Sequence, residues 1–142
     1  MAKKMTEAEI RDFLTAGTRT GKLATVRADG SPHVVPIWFV LDGDDLLFNT
    51  GADTVKGKAL ARDGRVAICV DSEDPPFAYV TVRGTATLST DVPAMLPWAT
   101  AIAHRYMGAD LAGQYGTRNA VDGELLVRVR MEKLSGFTGV AS

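Results

Sequence analysis

Apolar positions recur along the chain with two periods, and the switches between them predict the elements in order. Ile10, Phe13 and Leu14 share one face of a helix that Thr6-Glu7-Ala8-Glu9 opens as a capping box, and Gly17 and Gly21 end it. Strand-like alternation follows over 22–28. Asp29-Gly30 then makes a hairpin turn in which glycine supplies the positive φ. Residues 32–41 read as a second strand, and Asp42-Gly43-Asp44-Asp45 turns it into a third over 46–50. A short helix comes next, with Asp53 as the expected N-cap and Gly64 as the expected C-cap glycine. Residues 65–71 are nearly all apolar, the pattern of a strand buried on both faces.

The second half begins with a loop carrying Pro75 and Pro76 and a long strand over 78–89. Val80, Val82, Ala86 and Leu88 lie on one side of that strand, and Tyr79, Thr81, Arg83, Thr85 and Thr87 on the other. Gly84 interrupts it and predicts a bulge or a barrel bend. Thr90-Asp91 caps a helix reaching 104–107, which Pro97 is expected to kink or split. The Gly- and Ala-rich stretch 108–119 is open between a short helix and a loop. A last strand is expected over 124–134, followed by a tail over 135–142. The expected fold is mainly β (α+β): about six mostly antiparallel strands with two to three peripheral helices. Sheet twist and the Gly84 break favour closure into a small barrel.

Composition narrows the functional classes. At 142 residues the chain has the length of one domain with a real core. A formal net charge of −1 gives no global field for nucleic acid or an anionic membrane, so any anion recognition must be local. Hydrophobic residues make up 46% of the chain, yet no apolar run reaches membrane-spanning length, and the N-terminus lacks an apolar signal core. The single cysteine, Cys69, sits in an apolar run and reads as a buried structural thiol. These features lead us to expect a cytoplasmic protein with no membrane span.

Chemistry enters through the short helix. Lys58, Arg62 and Arg65 recur at spacings of four and three, with Lys56 nearby; like charges so placed repel unless an anion lies between them. The helix N-terminus after Thr50-Gly51 offers N–H groups and a positive dipole end for one. A solvated basic face is the alternative. Catalytic signatures are missing: the two histidines, His33 and His104, are not at metal-ligand spacing with each other or with Cys69. There is no Gly-x-Ser-x-Gly elbow, phosphate-binding P-loop or dinucleotide fingerprint. We therefore expect no catalytic side chain and no metal, with reactivity supplied by a bound cofactor. The strand Val34-Val35-Pro36-Ile37-Trp38-Phe39 fits that expectation, because a proline confines it to an edge or a bulge, where freed backbone groups can bond a flat heterocycle. Ile37, Trp38 or Phe39 then either wall a flat heterocycle or pack as core and edge residues.

Taken together, Lys22 through Phe39, Asn49-Thr50-Gly51 with Lys56, Arg62 through Asp71 and Val82-Arg83-Gly84-Thr85-Ala86 resemble the pyridoxamine 5'-phosphate oxidase-like superfamily. The resemblance implies a split β-barrel and a homodimer with cofactor sites at its interface. Within the superfamily the chain is most similar to an actinobacterial branch that uses coenzyme F420, a deazaflavin hydride carrier. That similarity implies a phosphate held by Thr50, Gly51, Lys56 and Lys58, with Thr54 beside them, and a ring lying along Val35, Pro36, Ile37 and Trp38. Arg62 and Arg65 would extend the positive surface toward the cofactor's oligoglutamate tail. The substrate-phosphate motif of the pyridoxamine phosphate oxidases themselves is not matched at the C-terminus.

The implied activity is F420-dependent hydride transfer to an electron-poor, conjugated small organic substrate. An FMN-dependent oxidase or reductase on the same barrel, or a flavin or F420 carrier without turnover, are the alternatives.

Overall fold

The computed structural model describes residues 1–142 and gathers the alternating segments into one curled sheet. In chain order the elements are β1 Lys3–Lys4, α1 Glu7–Thr15, β2 Gly21–Val26, β3 Pro32–Ile37, β4 Val40–Asp42, β5 Asp45–Gly51, α2 Val55–Arg62, β6 Arg65–Ser72, β7 Ala78–Ser89, α3 Val92–Met107, α4 Ala109–Asn119 and β8 Glu124–Thr138. The sheet has eight strands in the order β3-β2-β6-β7-β8-β5-β4, with β1 added on β8. Every ladder is antiparallel. No helix is long and apolar enough to cross a membrane.

The interior is lined by one side chain in two along each strand. Leu23, Phe39, Phe48, Ile68, Val82 and Val127 meet there with no exposed surface. A smaller apolar layer lies outside the barrel wall, where Leu47 and Leu126 pack under Met95, Ala99 and Ala120 of the α3–α4 hairpin. Gly116 lets the two helices approach closely, since a Cβ there would overlap Thr100.

The continuous strand expected over 32–41 is two strands. β3 stands at one edge of the sheet and β4 at the other, so the chain passes between the edges through Trp38 and Phe39 alone. A flat sheet cannot meet that requirement; a sheet curled until its edges approach can. The backbone groups of Phe39 are satisfied by α3 instead of a ladder. Its N–H donates to the Tyr106 hydroxyl at 3.3 Å, and its carbonyl accepts from Arg105 at 2.7 Å. Tyr106 also donates to the Arg19 carbonyl at 2.8 Å and stacks on Trp38, with ring centroids 5.0 Å apart and planes within 1°. Arg105 reaches the carbonyls of Leu14 and Gly17 as well.

Other expectations are corrected. β6 alternates, with Val66, Ile68 and Val70 buried and Cys69 half-buried on the outer face, so neither that strand nor its thiol is enclosed on both sides. Pro97 does not split α3, which runs unbroken from Val92 to Met107. It sits on an exposed face near the helix start, where its missing N–H removes one bond to the carbonyl of Pro93. Residues 109–119 form α4, and β8 continues through 135–138 to pair with β7, so only the last four residues lie beyond it. Thr54, not Asp53, caps α2. Gly64 is not a left-handed cap; its carbonyl accepts from Ala86, and a Cβ there would lie 2.8 Å from the Ala86 carbonyl oxygen. The Gly84 bulge is present as a register shift between Arg83 and Gly84.

Replacing Tyr106 with Phe keeps the stack on Trp38 but strands the Phe39 N–H and the Arg19 carbonyl. We expect a loss of about 1–3 kcal/mol in urea unfolding. A change within about 0.3 kcal/mol would show that water replaces the hydroxyl at no cost.

Candidate functional site

The candidate site is assembled where β5 gives way to α2. Thr54 ties the turn together: its hydroxyl donates to the Gly51 carbonyl at 2.7 Å, accepts from the Gly57 N–H at 3.1 Å and lies 3.2 Å from the buried Thr50 hydroxyl. Gly57 is required, because a Cβ there would overlap the Gly51 carbonyl. The N–H groups of Val55 and Lys56 find no protein partner, as the first turn of a helix dictates. They point away from the helix together with its positive dipole end.

Lys56 leads from this turn into a cleft of about 280 Å³. Pro36, Ile37 and Trp38 of the sheet edge form one wall, Ala99 and Ile102 of α3 another, and Asn49 and Asn119 close it. Lys56 is half-buried and makes no ion pair. Asn49 is the second unmet group: neither its amide nitrogen nor its carbonyl oxygen has a hydrogen-bond partner, although both atoms are shielded from solvent. A buried carboxamide left so costs free energy that a polar ligand recovers. The donor set therefore suits a planar, hydrogen-bonding ring joined to an anion.

Glu124 stands beside this arrangement as the register partner of Gly51. A Cβ on Gly51 would lie 3.3 Å from both the Glu124 and the Asp53 carboxylate oxygens, so glycine keeps that corner open. Burial pushes the Glu124 carboxyl above its ordinary range; Lys56 draws it back down and Asp53 adds to the rise.

The sequence expectations are only partly co-located. Pro36, Ile37, Trp38 and Lys56 line the cleft together, and Thr50, Gly51 and Thr54 shape the turn behind it. Val35 is not among the residues that line the cleft; it is half-buried and pairs with Leu23 of β2. Lys58 and Arg62 are exposed on α2, and the Arg62 guanidinium is 3.4 Å from the Val26 carbonyl. The expected three-cation helix face is not formed. Arg65 begins β6 and pairs with Asp63 at 2.7 Å, holding the Asp63 carboxyl down at about 2. Asn49, Asn119, Glu124 and the α3 wall were not anticipated. Asn49 alone carried a signal, as an amide in an otherwise apolar strand.

Comparisons with known proteins agree with this geometry. A family model described as pyridoxamine 5'-phosphate oxidase matches residues 6–136. A conserved hypothetical protein from Mycobacterium tuberculosis superposes with a TM-score of 0.79 at 29% identity, over 92% of this chain and 84% of that one. An F420 reductase superposes with a TM-score of 0.71 at 27% identity, over 87% of this chain and 94% of that one. An FAD-binding protein from Mesorhizobium loti, at 21% identity and a TM-score of 0.71 over 96% of this chain and 97% of that one, shares the fold.

Because the Glu124 carboxyl is raised in the folded state, folding binds a proton there. Its favourable effect is full below 4.5 and is lost as pH rises through the elevated folded value. Glu124→Gln removes that loss. The variant is expected to melt higher than wild type at neutral pH and level with it near pH 4. A wild-type melt that is higher at neutral pH would mean that the Lys56 attraction outweighs burial.

Proposed function

The chain belongs to the pyridoxamine 5'-phosphate oxidase family, and from that membership we propose that it is an oxidoreductase whose cofactor is the deazaflavin F420. The observation that carries the proposal is the meeting of Lys56, the unpartnered Asn49 carboxamide and the Pro36–Trp38 edge in one cleft. Similarity to an F420 reductase favours the deazaflavin over FMN.

In this reading the residues have separate tasks. The Lys56 ammonium and the free N–H groups of Val55 and Lys56 hold the phosphate, and charge-assisted bonds of this kind contribute about 1.5–3 kcal/mol each. Thr50, Gly51 and Thr54 fix the turn that presents those donors. Pro36, Ile37 and Trp38 flank the ring, with Val35 behind them, and Tyr106 keeps Trp38 in place by stacking. Asn49 donates to and accepts from the ring's polar edge. When bound, the deazaflavin supplies a hydride to an electron-poor, conjugated organic substrate. The protein orients that substrate over the ring and excludes water through the apolar α3 wall, so no side chain needs to act as nucleophile.

A second copy of the chain belongs to this reading. Val34 and Val26 are 65% and 39% exposed on the outer face of β2 and β3, beside Ala24, Ala67 and Cys69. An apolar sheet face of this kind is covered in a stable assembly. Light scattering at micromolar concentration is expected to give a homodimer; a monomer that binds cofactor normally would remove the dimer from the account.

Titration of F420 and FMN into the purified protein tests the cofactor directly. F420 is expected to bind more tightly, and Lys56→Ala to weaken it by about tenfold or more without lowering the melting temperature. Equal or tighter FMN binding would move the chain to flavin chemistry. An unchanged dissociation constant in Lys56→Ala would leave that lysine a solvated charge.

A further inference from the structure

Outside the cleft, the β7–β8 bulge gathers an excess of positive charge, with Arg65, Arg83 and Lys133 set against the one carboxylate of Glu132 in a shared hollow. Arg83 stands opposite Lys133, while Gly84 stands opposite Met131, which leaves Glu132 as the extra residue. Met131 is buried, and strict alternation would turn Lys133 to the same side. The inserted residue shifts the phase, so Glu132 and Lys133 both face outward. The bulge is built in, since a Cβ on Gly84 would overlap the Arg130 carbonyl. Like charges directly opposite on neighbouring strands are destabilising. Neither Arg83 nor Lys133 has an ion-pair partner, and the one carboxylate nearby, Glu132, accepts from the Thr85 hydroxyl at 2.5 Å. These residues and Arg65 line a hollow of about 380 Å³ with a single apolar residue in its wall.

We propose that the Arg83–Lys133 hollow is a second anion-binding site and that it takes a chain of carboxylates, the glutamate tail of a deazaflavin held at the start of α2. This rests on the proposed function. A route between the two places exists. The eight residues of α2 span about 12 Å, Lys58 and Arg62 are exposed along them, and Arg65, at the head of β6, lines the hollow itself. Asp63 neutralises Arg65, so the unpaired cations of the hollow beyond α2 are Arg83 and Lys133. The same chemistry would admit a free polycarboxylate with no ring attached.

The test is a fluorescence titration of F420 carrying one glutamate and of F420 carrying a long oligoglutamate chain. Both are titrated into wild type and into an Arg83→Gln, Lys133→Gln double variant at low salt. The long tail is expected to bind wild type several-fold more tightly than the short one, and that preference is expected to vanish in the variant. Removing like charges should leave the melting temperature equal or higher. Oligoglutamate alone is titrated in parallel, with the amide resonances of 83–85 and 131–133 as the readout. Shifts there that the double variant lacks identify the hollow as a site for a free polycarboxylate too. Failure of both F420 forms to bind would defeat the proposed cofactor, and the oligoglutamate arm would then decide the hollow by itself. A tail preference that survives in the double variant, or no preference together with no shifts, overturns the proposal.

Discussion

Two residues must carry the chain from one edge of the sheet to the other, and the rest of the structure depends on meeting that constraint. Phe39 has no strand to bond on either side, yet it is fully buried, so its N–H and carbonyl must find partners or carry a desolvation penalty. Tyr106 and Arg105 supply both from one turn of α3. The same two side chains reach back to Arg19, Leu14 and Gly17, so the end of α1 and its following loop are held by the same helix. Closure of the barrel, the position of α3 and the orientation of Trp38 are thus one problem with one solution. The cleft inherits that rigidity, because Trp38 is its wall and α3 its opposite wall.

The charge around the cleft is set by what is paired. Of the cations in the first β-strands and around α2, Lys22 is taken by Asp71 and Arg65 by Asp63, while Lys56, like the exposed Lys58 and Arg62, is left without a carboxylate within bonding distance. Glu124 tempers Lys56 from the side without bonding it, and burial makes that carboxyl reluctant to ionise. An arriving anion therefore meets a lysine with no carboxylate bonded to it, at the helix end where the dipole already favours it. A chain of nearly neutral overall charge can recognise an anion in this way without attracting every anion in solution.

Much of the fold was legible because the alternation is regular. The strands over 78–89 and 46–50 and the Gly84 bulge follow from period and one glycine. What escaped depends on contacts distant in sequence. No local pattern distinguishes a ten-residue strand from two short ones separated by a turnless crossing, since Trp38 and Phe39 are good strand residues. Pro97 does not split α3 because a helix tolerates a proline near its start when the lost bond is exposed. The capping role moved from Asp53 to Thr54 because only Thr54 can bond both Gly51 and Gly57. For the site, Pro36, Ile37, Trp38 and Lys56 came from motif and resemblance, whereas Asn49 was marked only by its polarity among apolar neighbours and Glu124 needed the register of β5 with β8.

The stripe expected from Lys58, Arg62 and Arg65 shows why spacing is a poor guide to electrostatics once a helix ends. The helix stops at Arg62, Asp63 turns outward in an extended conformation, and its carboxylate takes the guanidinium that the periodicity had assigned to an open face. Two strands away, the bulge does the reverse. It breaks the alternation that would have turned Lys133 inward and sets that lysine against Arg83 with no ion pair to either. A regular ladder at this point would bury the lysine or force its replacement, and the pair would not exist. The irregularity is therefore what creates the charge density, and a residue with a side chain at position 84 would abolish both together.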